Sequence, residues 1–383
     1  MKRPIYLDNH ATTAVDPRVI EAMLPYFGER YGNAGSRSHS YGWEAEAAVK
    51  KAREQVASLL GTTPETIVFT AGATESTALA LLGWLRPLGP SGKRIVTCTI
   101  EHPATLDTCD QLAAEGAEIL RLSVDEHGCL SLDELEQTLR DGADFVTLML
   151  ANNEIGTLIP LAEIAQLCRD TGVPFHLDAA QALGKIPIDL RETPVDFLSL
   201  SAHKFYGPKG VGALHVSPDL PRRPGIQPLI AGGGQEGGLR PGTTNVPGLV
   251  GLGEASALCE AELAAGDDHV GVLRDDLQRR LAEAVDGFAV NGHPELRLPG
   301  NLSARFEGVE AEALILAMPS LALSAGSACS SGSGHASHVL LGIGLSEAQA
   351  RSTLRFGLGR FNTAEEIDAV VEQVVAAVAS VRG

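Results

Sequence analysis

The chain has 383 residues, enough for two or three domains at roughly 150 residues each. Apolar residues make up 44% and charged residues 20% of it, which excludes a largely disordered chain. Forty-eight acidic against 30 basic residues give a net charge of −18, and that sign opposes general affinity for nucleic-acid backbones and anionic membranes.

The first predicted helix spans 42–60, where Ala45, Ala48, Val49, Ala52, Val56, Leu59 and Leu60 share one face and Gly61 follows as a stop. Short β-rich runs come next at 67–70, 94–100 and 118–124. Ser131 and Glu134 then form a capping-box pattern ahead of Leu135 and Leu139. Further β-rich runs fall at 144–151, 174–178, 196–202 and 212–216. Alternation of this kind predicts an α/β fold with a mostly parallel sheet and helices on both faces. Ligands on such sheets sit at the carboxyl ends of the strands. From about Gly266 the rhythm changes. A helical stretch at 269–285 precedes ordered segments at 301–306, 309–318, 321–325 and 353–358. A closing helix carries the stripe Ile367, Val370, Val371, Val374, Val375 and Val378, opened by Thr363 and Glu366. The expected division is a large domain over 16–262 and a smaller α+β domain made of 1–15 and 263–383.

No apolar run approaches the ~18 residues of a membrane helix, and the opening MKRPIYLDNHATT turns polar too soon for a secretory signal. Six scattered cysteines, Cys98, Cys109, Cys129, Cys168, Cys259 and Cys329, form no CxxC pair. They point to a reducing cytoplasm rather than a disulfide framework, and to no compact zinc site.

Five segments carry chemistry. Lys204 ends the apolar strand in VDFLSLSAHK, where an apolar pocket would let its amine bind an aldehyde cofactor covalently; a lysine escaping to solvent has the same pattern. Asp178 ends the strand in VPFHLD and Gln181 follows it. A carboxylate there can hold the proton on a pyridine nitrogen, or simply cap a helix. In TAGATES, Gly72 permits a tight turn and the amides of Ala73 and Thr74 open a helix, which is a phosphate cup of the helix-terminus kind. Cys329 lies in SAGSACSSGSGHAS, a segment too rich in Gly and Ser to build a core, so its thiol is expected to be accessible. His335 and His338 nearby lack a second ligand pair, which argues against zinc. Arg355 sits inside the apolar run TLRFGLG and needs an anionic partner, either a substrate carboxylate or an internal ion pair.

Together and in this order, these segments resemble the NifS/IscS-type cysteine desulfurases, pyridoxal-phosphate enzymes of the class V aminotransferase fold. The resemblance runs through YLDNHATT, GNAGSRSHSYG, TAGATES, TIEHPATLDTC, NNEIGT, HLDAAQALGKIPIDL, SLSAHKFYGPKGVGAL, RPGTTN, GSACSS and LRFGLGRFNTAEEID. It implies the following roles. Lys204 carries the cofactor, His102 stacks on its ring and shuttles protons, and Asp178 pairs with the ring nitrogen. Gln181 and Asn153 contact the ring or its phenolic oxygen. Ala73, Thr74, Ser201 and His203 hold the phosphate, joined by Thr243 from the neighbouring subunit of a homodimer. Arg355 and Asn33 receive the carboxylate of L-cysteine, Asn153 also contacts the substrate, and Cys329 accepts its sulfur. The implied partners are sulfur acceptors such as an iron–sulfur scaffold or a tRNA-thiolation protein, with Cys329 transiently able to ligate a cluster shared with the scaffold. A selenocysteine lyase or an aminotransferase on the same site, or a non-catalytic assembly protein on the same fold, are the alternatives. The chain departs from the resemblance after GSACSS, where GSGHASHV places His335 and Ala336 at positions the family commonly gives to Glu and Pro.

Overall fold

The computed structural model describes residues 3–220, 225–266, 268–326 and 336–383. Its strands in chain order are β1 (Ile5–Tyr6), β2 (Ile67–Thr70), β3 (Arg94–Cys98), β4 (Glu118–Leu122), β5 (Phe145–Met149), β6 (Phe175–Asp178), β7 (Phe197–Ser201), β8 (Gly212–Val216), β9 (Phe288–Asn291), β10 (Asn301–Phe306), β11 (Leu321–Ala322) and β12 (Thr353–Gly357). Seven of them form one sheet in the order β2-β8-β7-β6-β5-β3-β4. The contacts among β7, β6, β5, β3 and β4 are parallel. β8 alone runs against the others, antiparallel to both β2 and β7. β2 therefore points the same way as β7, and the carboxyl ends of six strands share one edge.

The pleat explains why the strands read as unbroken apolar runs. Val68, Ile95, Phe145, Phe197 and Leu214 face one side and pack with the helices Ala73–Leu88 and Pro103–Ala114 through Leu81, Leu85 and Leu112. Their neighbours Ile67, Phe69, Val96, Val146, Leu198 and Ala213 face the other side. There they meet the helices Ser40–Leu60, Leu161–Thr171 and Val246–Ala265. A strand covered on both faces has no polar side to show.

A separate core gathers Leu273, Leu277 and Leu281 of the helix His269–Ala284, Leu302 and Phe306 of β10, Leu354 and Phe356 of β12, and Ile367, Val370 and Val374 of the closing helix Ala364–Arg382. Leu7 belongs to it, because β1 pairs in parallel with β11. The N-terminal residues thus pack on C-terminal ones. By contrast Val339, Leu340 and Ile343 join the core under the large sheet, although they follow residue 263.

The expected strands of the large sheet all form, each within two residues of its predicted ends, and the segment 321–325 shortens to β11. β9, which pairs antiparallel with β10, has no counterpart among the predicted segments: its FAVN is short and only half-buried. The segment 309–318 forms the helix Ala311–Ala317. Thr363 and Glu366 close a full capping box. At Ser131 the structure gives half of one, the Oγ accepting from the Glu134 N–H at 3.2 Å.

Candidate active site

The shared strand edge holds a cavity of about 790 Å³, lined by Ala73, Thr74, His102, Asn153, Asp178, Gln181, Ser201, His203 and Lys204 among others. Each arrives from a strand end. Asp178 closes β6, Ser201 closes β7 with Lys204 one turn on, and the turn after β2 opens the helix Ala73–Leu88.

That turn depends on glycine at two points. Gly72 has φ +153°, a region that residues with a Cβ avoid. A Cβ on Gly212 of β8 would lie 2.7 Å from the Gly72 Cα, so β8 packs directly against the turn. The first N–H groups of the helix have no partner one turn back, and with the helix dipole they offer an anion site at the cavity wall.

Asp178 is buried; one carboxylate oxygen accepts from the Ala180 N–H at 2.9 Å. Burial pushes its pKa up, opposed by that N–H and by His102 and Lys204. The site therefore favours a protonated partner that would restore the charge. His102 caps the helix Pro103–Ala114 by accepting from the Ala104 N–H at Nδ1, 3.1 Å away. A backbone N–H only donates, so the proton of the neutral ring is on Nε2. Burial lowers the His102 pKa, with Asp178 pulling the other way, and the ring is neutral near pH 7. His203 pairs through Nδ1 with the Thr12 hydroxyl at 3.1 Å and is pushed down to about 4, by burial first and then by Lys204.

The Lys204 Nζ donates to the carbonyls of His10 at 2.6 Å and Ala11 at 3.0 Å. Two residues later Tyr206 holds φ +69°. Its backbone N–H bonds the Thr13 hydroxyl at 2.7 Å, its carbonyl accepts from the Asp16 N–H at 3.0 Å, and its hydroxyl accepts from the Arg360 N–H at 2.6 Å. Strain of that kind persists where surroundings over-determine it, and here it fixes the backbone leaving Lys204.

Three expected residues stand apart from the cavity lining. Arg355, 2% exposed, donates to the Asp8 carboxylate at 2.8 Å and to the Asn153 carbonyl at 2.8 Å, so the internal ion pair is formed. Asn33 is exposed and its side chain caps its own turn at the Gly35 N–H. Thr243 is exposed. Cys329 and His335 lie outside the described residues. His338 gives its Nε2 proton to the Glu101 carbonyl at 2.9 Å. The backbone of residues 10–12, Glu75 and Lys209 also border the site; periodicity gave no sign of them, and the motifs YLDNHATT, TAGATES and SLSAHKFYGPKGVGAL contain them without assigning them a role.

The other thiols are poor nucleophiles. Burial pushes Cys98, Cys109 and Cys168 up to about 12 and Cys259 up to about 11, and raises half-buried Cys129 as well.

The profile of the class-V aminotransferases matches residues 5–370. The chain belongs to the class-V aminotransferase family. Among its relatives is a protein named cysteine desulfurase IscS from Anaeromyxobacter sp. (strain Fw109-5), 50% identical over 385 residues that cover 100% of this chain and 94% of that protein. The human protein named cysteine desulfurase is 44% identical over 375 residues, covering 97% and 81%. A solved structure titled NifS-like protein superposes with a TM-score of 0.90 at 36% identity, covering 98% of this chain and all of its own.

Members of this family use pyridoxal phosphate, and the described residues fit it. The cavity combines an amine (Lys204), a buried carboxylate without a basic side-chain partner in hydrogen-bond contact among the described residues (Asp178), an imidazole ring (His102) and a helix N-terminus whose opening turn needs glycine at Gly72 and, packed against it, at Gly212.

Proposed function

We propose that this protein is a pyridoxal-phosphate-dependent cysteine desulfurase, converting L-cysteine to L-alanine and leaving the sulfur as a persulfide on Cys329. The observation that carries this reading is the convergence of Lys204, Asp178, His102 and the Gly72 turn on one cavity, in a chain half identical to a protein of that name.

When bound, pyridoxal phosphate supplies an electron sink for charge developing at the substrate Cα. The turn at Ala73 and Thr74, with Ser201 and His203, holds its phosphate. Asp178 keeps the ring nitrogen protonated, since a cation there repairs its own buried charge. Lys204 anchors the group through its amine and, once displaced by the substrate amine, takes the Cα proton. His102 offers an N–H at Nε2 beside the ring and serves as the proton donor to the departing side. The Cys329 thiolate attacks the substrate Sγ; the Cβ–Sγ bond breaks, its electrons end as a C–H bond of alanine after protonation, and the sulfur stays on Cys329. Arg355 and Asn33 are assigned to the substrate carboxylate. For Arg355 this requires the carboxylate to share or replace Asp8 at the guanidinium, whose Nε has no partner among the described residues.

Beyond the reaction itself, we assign the sulfur to acceptor proteins for iron–sulfur clusters or thiolated tRNA, the working unit to a homodimer in which Thr243 reaches the partner's phosphate site, and the compartment to the cytoplasm. The domain division at 16–262 against 1–15 with 263–383 belongs to the same reading. No helix among the described residues is long and apolar enough to cross a membrane.

The test is direct: the protein loaded with pyridoxal phosphate is given L-cysteine and a thiol reductant, and alanine and sulfide are measured in equal amounts. Lys204→Ala is expected to abolish both. Transamination of the same substrate without sulfide would overturn the reading.

A further inference from the structure

Lys185 lies behind the cavity, one helical turn beyond Gln181, and has no part in the reaction described above. Its Nζ is 3.1 Å from the Gln181 Oε1. The Gln181 Nε2 donates to the His10 carbonyl at 2.8 Å. The same carbonyl receives the Lys204 Nζ at 2.6 Å. Four residues thus form one chain of contacts ending on the amine that anchors the cofactor.

An amide side chain can be turned over by a half rotation, exchanging its oxygen and nitrogen. Here the exchange is opposed at the His10 end at any pH, and at the Lys185 end whenever that amine is protonated. It would set an NH₂ group against the Lys185 amine and a carbonyl oxygen against the His10 carbonyl oxygen. With Oε1 held by Lys185 and one N–H spent on His10, the amide keeps its second N–H for the cavity it lines. We infer that Lys185 is a positioning residue, which locks the Gln181 amide so that a hydrogen-bond donor faces the bound cofactor. The inference rests on the proposed function, because the donor needs an anionic oxygen on that cofactor to serve.

The surroundings make Lys185 an expensive residue to keep. The charged and titratable groups facing it are Lys204, Arg355, His10, His203 and Cys259, and Gln181 is the acceptor in hydrogen-bond contact. No carboxylate is paired with it among the described residues. Burial, with Lys204 and Arg355 adding repulsion, pushes its pKa down to about 7. Methionine fills about the same volume without the charge and removes the desolvation cost of the half-buried ammonium. A purely structural role would be served as well by an apolar side chain.

The experiment uses the full chain loaded with pyridoxal phosphate and follows the pH midpoint of the cofactor's visible band, with thermal melting alongside. Losing a donor to the cofactor's anionic oxygen and losing a nearby cation both favour the protonated form of the bound group. Lys185→Met is therefore expected to raise the midpoint by about one pH unit, and Lys185→Arg to return it to within a few tenths. Gln181→Met is expected to raise it too, and in that background Lys185→Met is expected to add less than half of its own shift. A well-folded Lys185→Met with an unmoved midpoint would overturn the inference. So would a full shift in the Gln181→Met background, which would reduce Lys185 to a bare charge. Should Lys185→Met fail to fold, Gln181→Met decides alone, and an unmoved midpoint there overturns the inference. Failure of the wild-type protein to form the visible band, or to release alanine, would strike the proposed function instead.

Discussion

Arg355 concentrates the energetics of the site in one side chain. It is 2% exposed, sits in the middle of β12, and divides its donors between Asp8 and the Asn153 carbonyl. Removing one partner of a buried pair leaves the other uncompensated, at a cost of about 3 kcal/mol. Arg355→Ala is thus expected to lower the unfolding free energy by about that amount in urea titrations. Arg355→Lys keeps a charge for Asp8 but loses the planar fork, so it is expected to fold and to raise the cysteine KM at least about tenfold, as loss of one charge-assisted bond implies. An unchanged KM in the folded lysine variant would confine Arg355 to the ion pair. The sequence showed that an arginine in TLRFGLG needs an anion. It could not say which, because Asp8 lies 347 residues away and only the fold brings it near. Lys204 and Asp178 were legible for the opposite reason: each sits at or just past a strand end, so its place on the shared edge follows from local pattern, whereas His102 was marked only by the resemblance. Thr12 and the His10 carbonyl were not legible, since their contribution is tertiary.

At the scale of elements, the strands of the large sheet were readable because both of their faces are apolar, whereas β9 and the two-residue β1 carry too little pattern to register. The turn between β2 and the helix Ala73–Leu88 is the element to which the proposal gives the cofactor's phosphate. Gly72→Val forces a β-branched residue to φ +153°, strain of about 1–3 kcal/mol, and sets a side chain beside the Ser201 hydroxyl. The expected outcome is a tenfold or greater loss of affinity for pyridoxal phosphate, read by titrating the apoprotein at constant secondary structure by circular dichroism. Equal affinity in the variant would place the phosphate elsewhere.

For the whole molecule, the buried ionisable groups set the response to acid. His10 and His102 are lowered by burial, His176 is pushed down to about 3, and His203 and His215 to about 4. Below the unfolded value near 6.5 the unfolded chain takes up protons that these native imidazoles refuse, so stability falls as pH falls. Glu101, Asp178 and Asp196 are raised by burial; they bind protons in the native state first and oppose the trend. Five imidazoles against three carboxyls leave a net excess on the unfolded side. The apoprotein is expected to lose up to about 3 kcal/mol per pH unit between pH 6.5 and 4.5. Thermal melts across that range check it, and a melting temperature that rises on acidification would contradict it. The assembly is open to an equally simple measurement. Thr243 is exposed within its own chain, as a residue serving a partner's site would be, and light scattering is expected to give twice the 40.1 kDa chain mass. A monomer with full cofactor occupancy would remove Thr243 from the site.

The central claim is that sulfur leaves L-cysteine for one particular thiol. Among the described cysteines, burial raises every thiol above its ordinary value, which supports the proposal of Cys329 as the acceptor. The decisive measurement is mass spectrometry of peptides from the loaded protein after a brief exposure to sulfur-labelled L-cysteine, run beside Cys329→Ser. The account requires one labelled sulfur atom on the Cys329 peptide and none elsewhere, with the serine variant retaining the cofactor's visible band but carrying no label. Label on another cysteine, or wild-type label in Cys329→Ser, would contradict it.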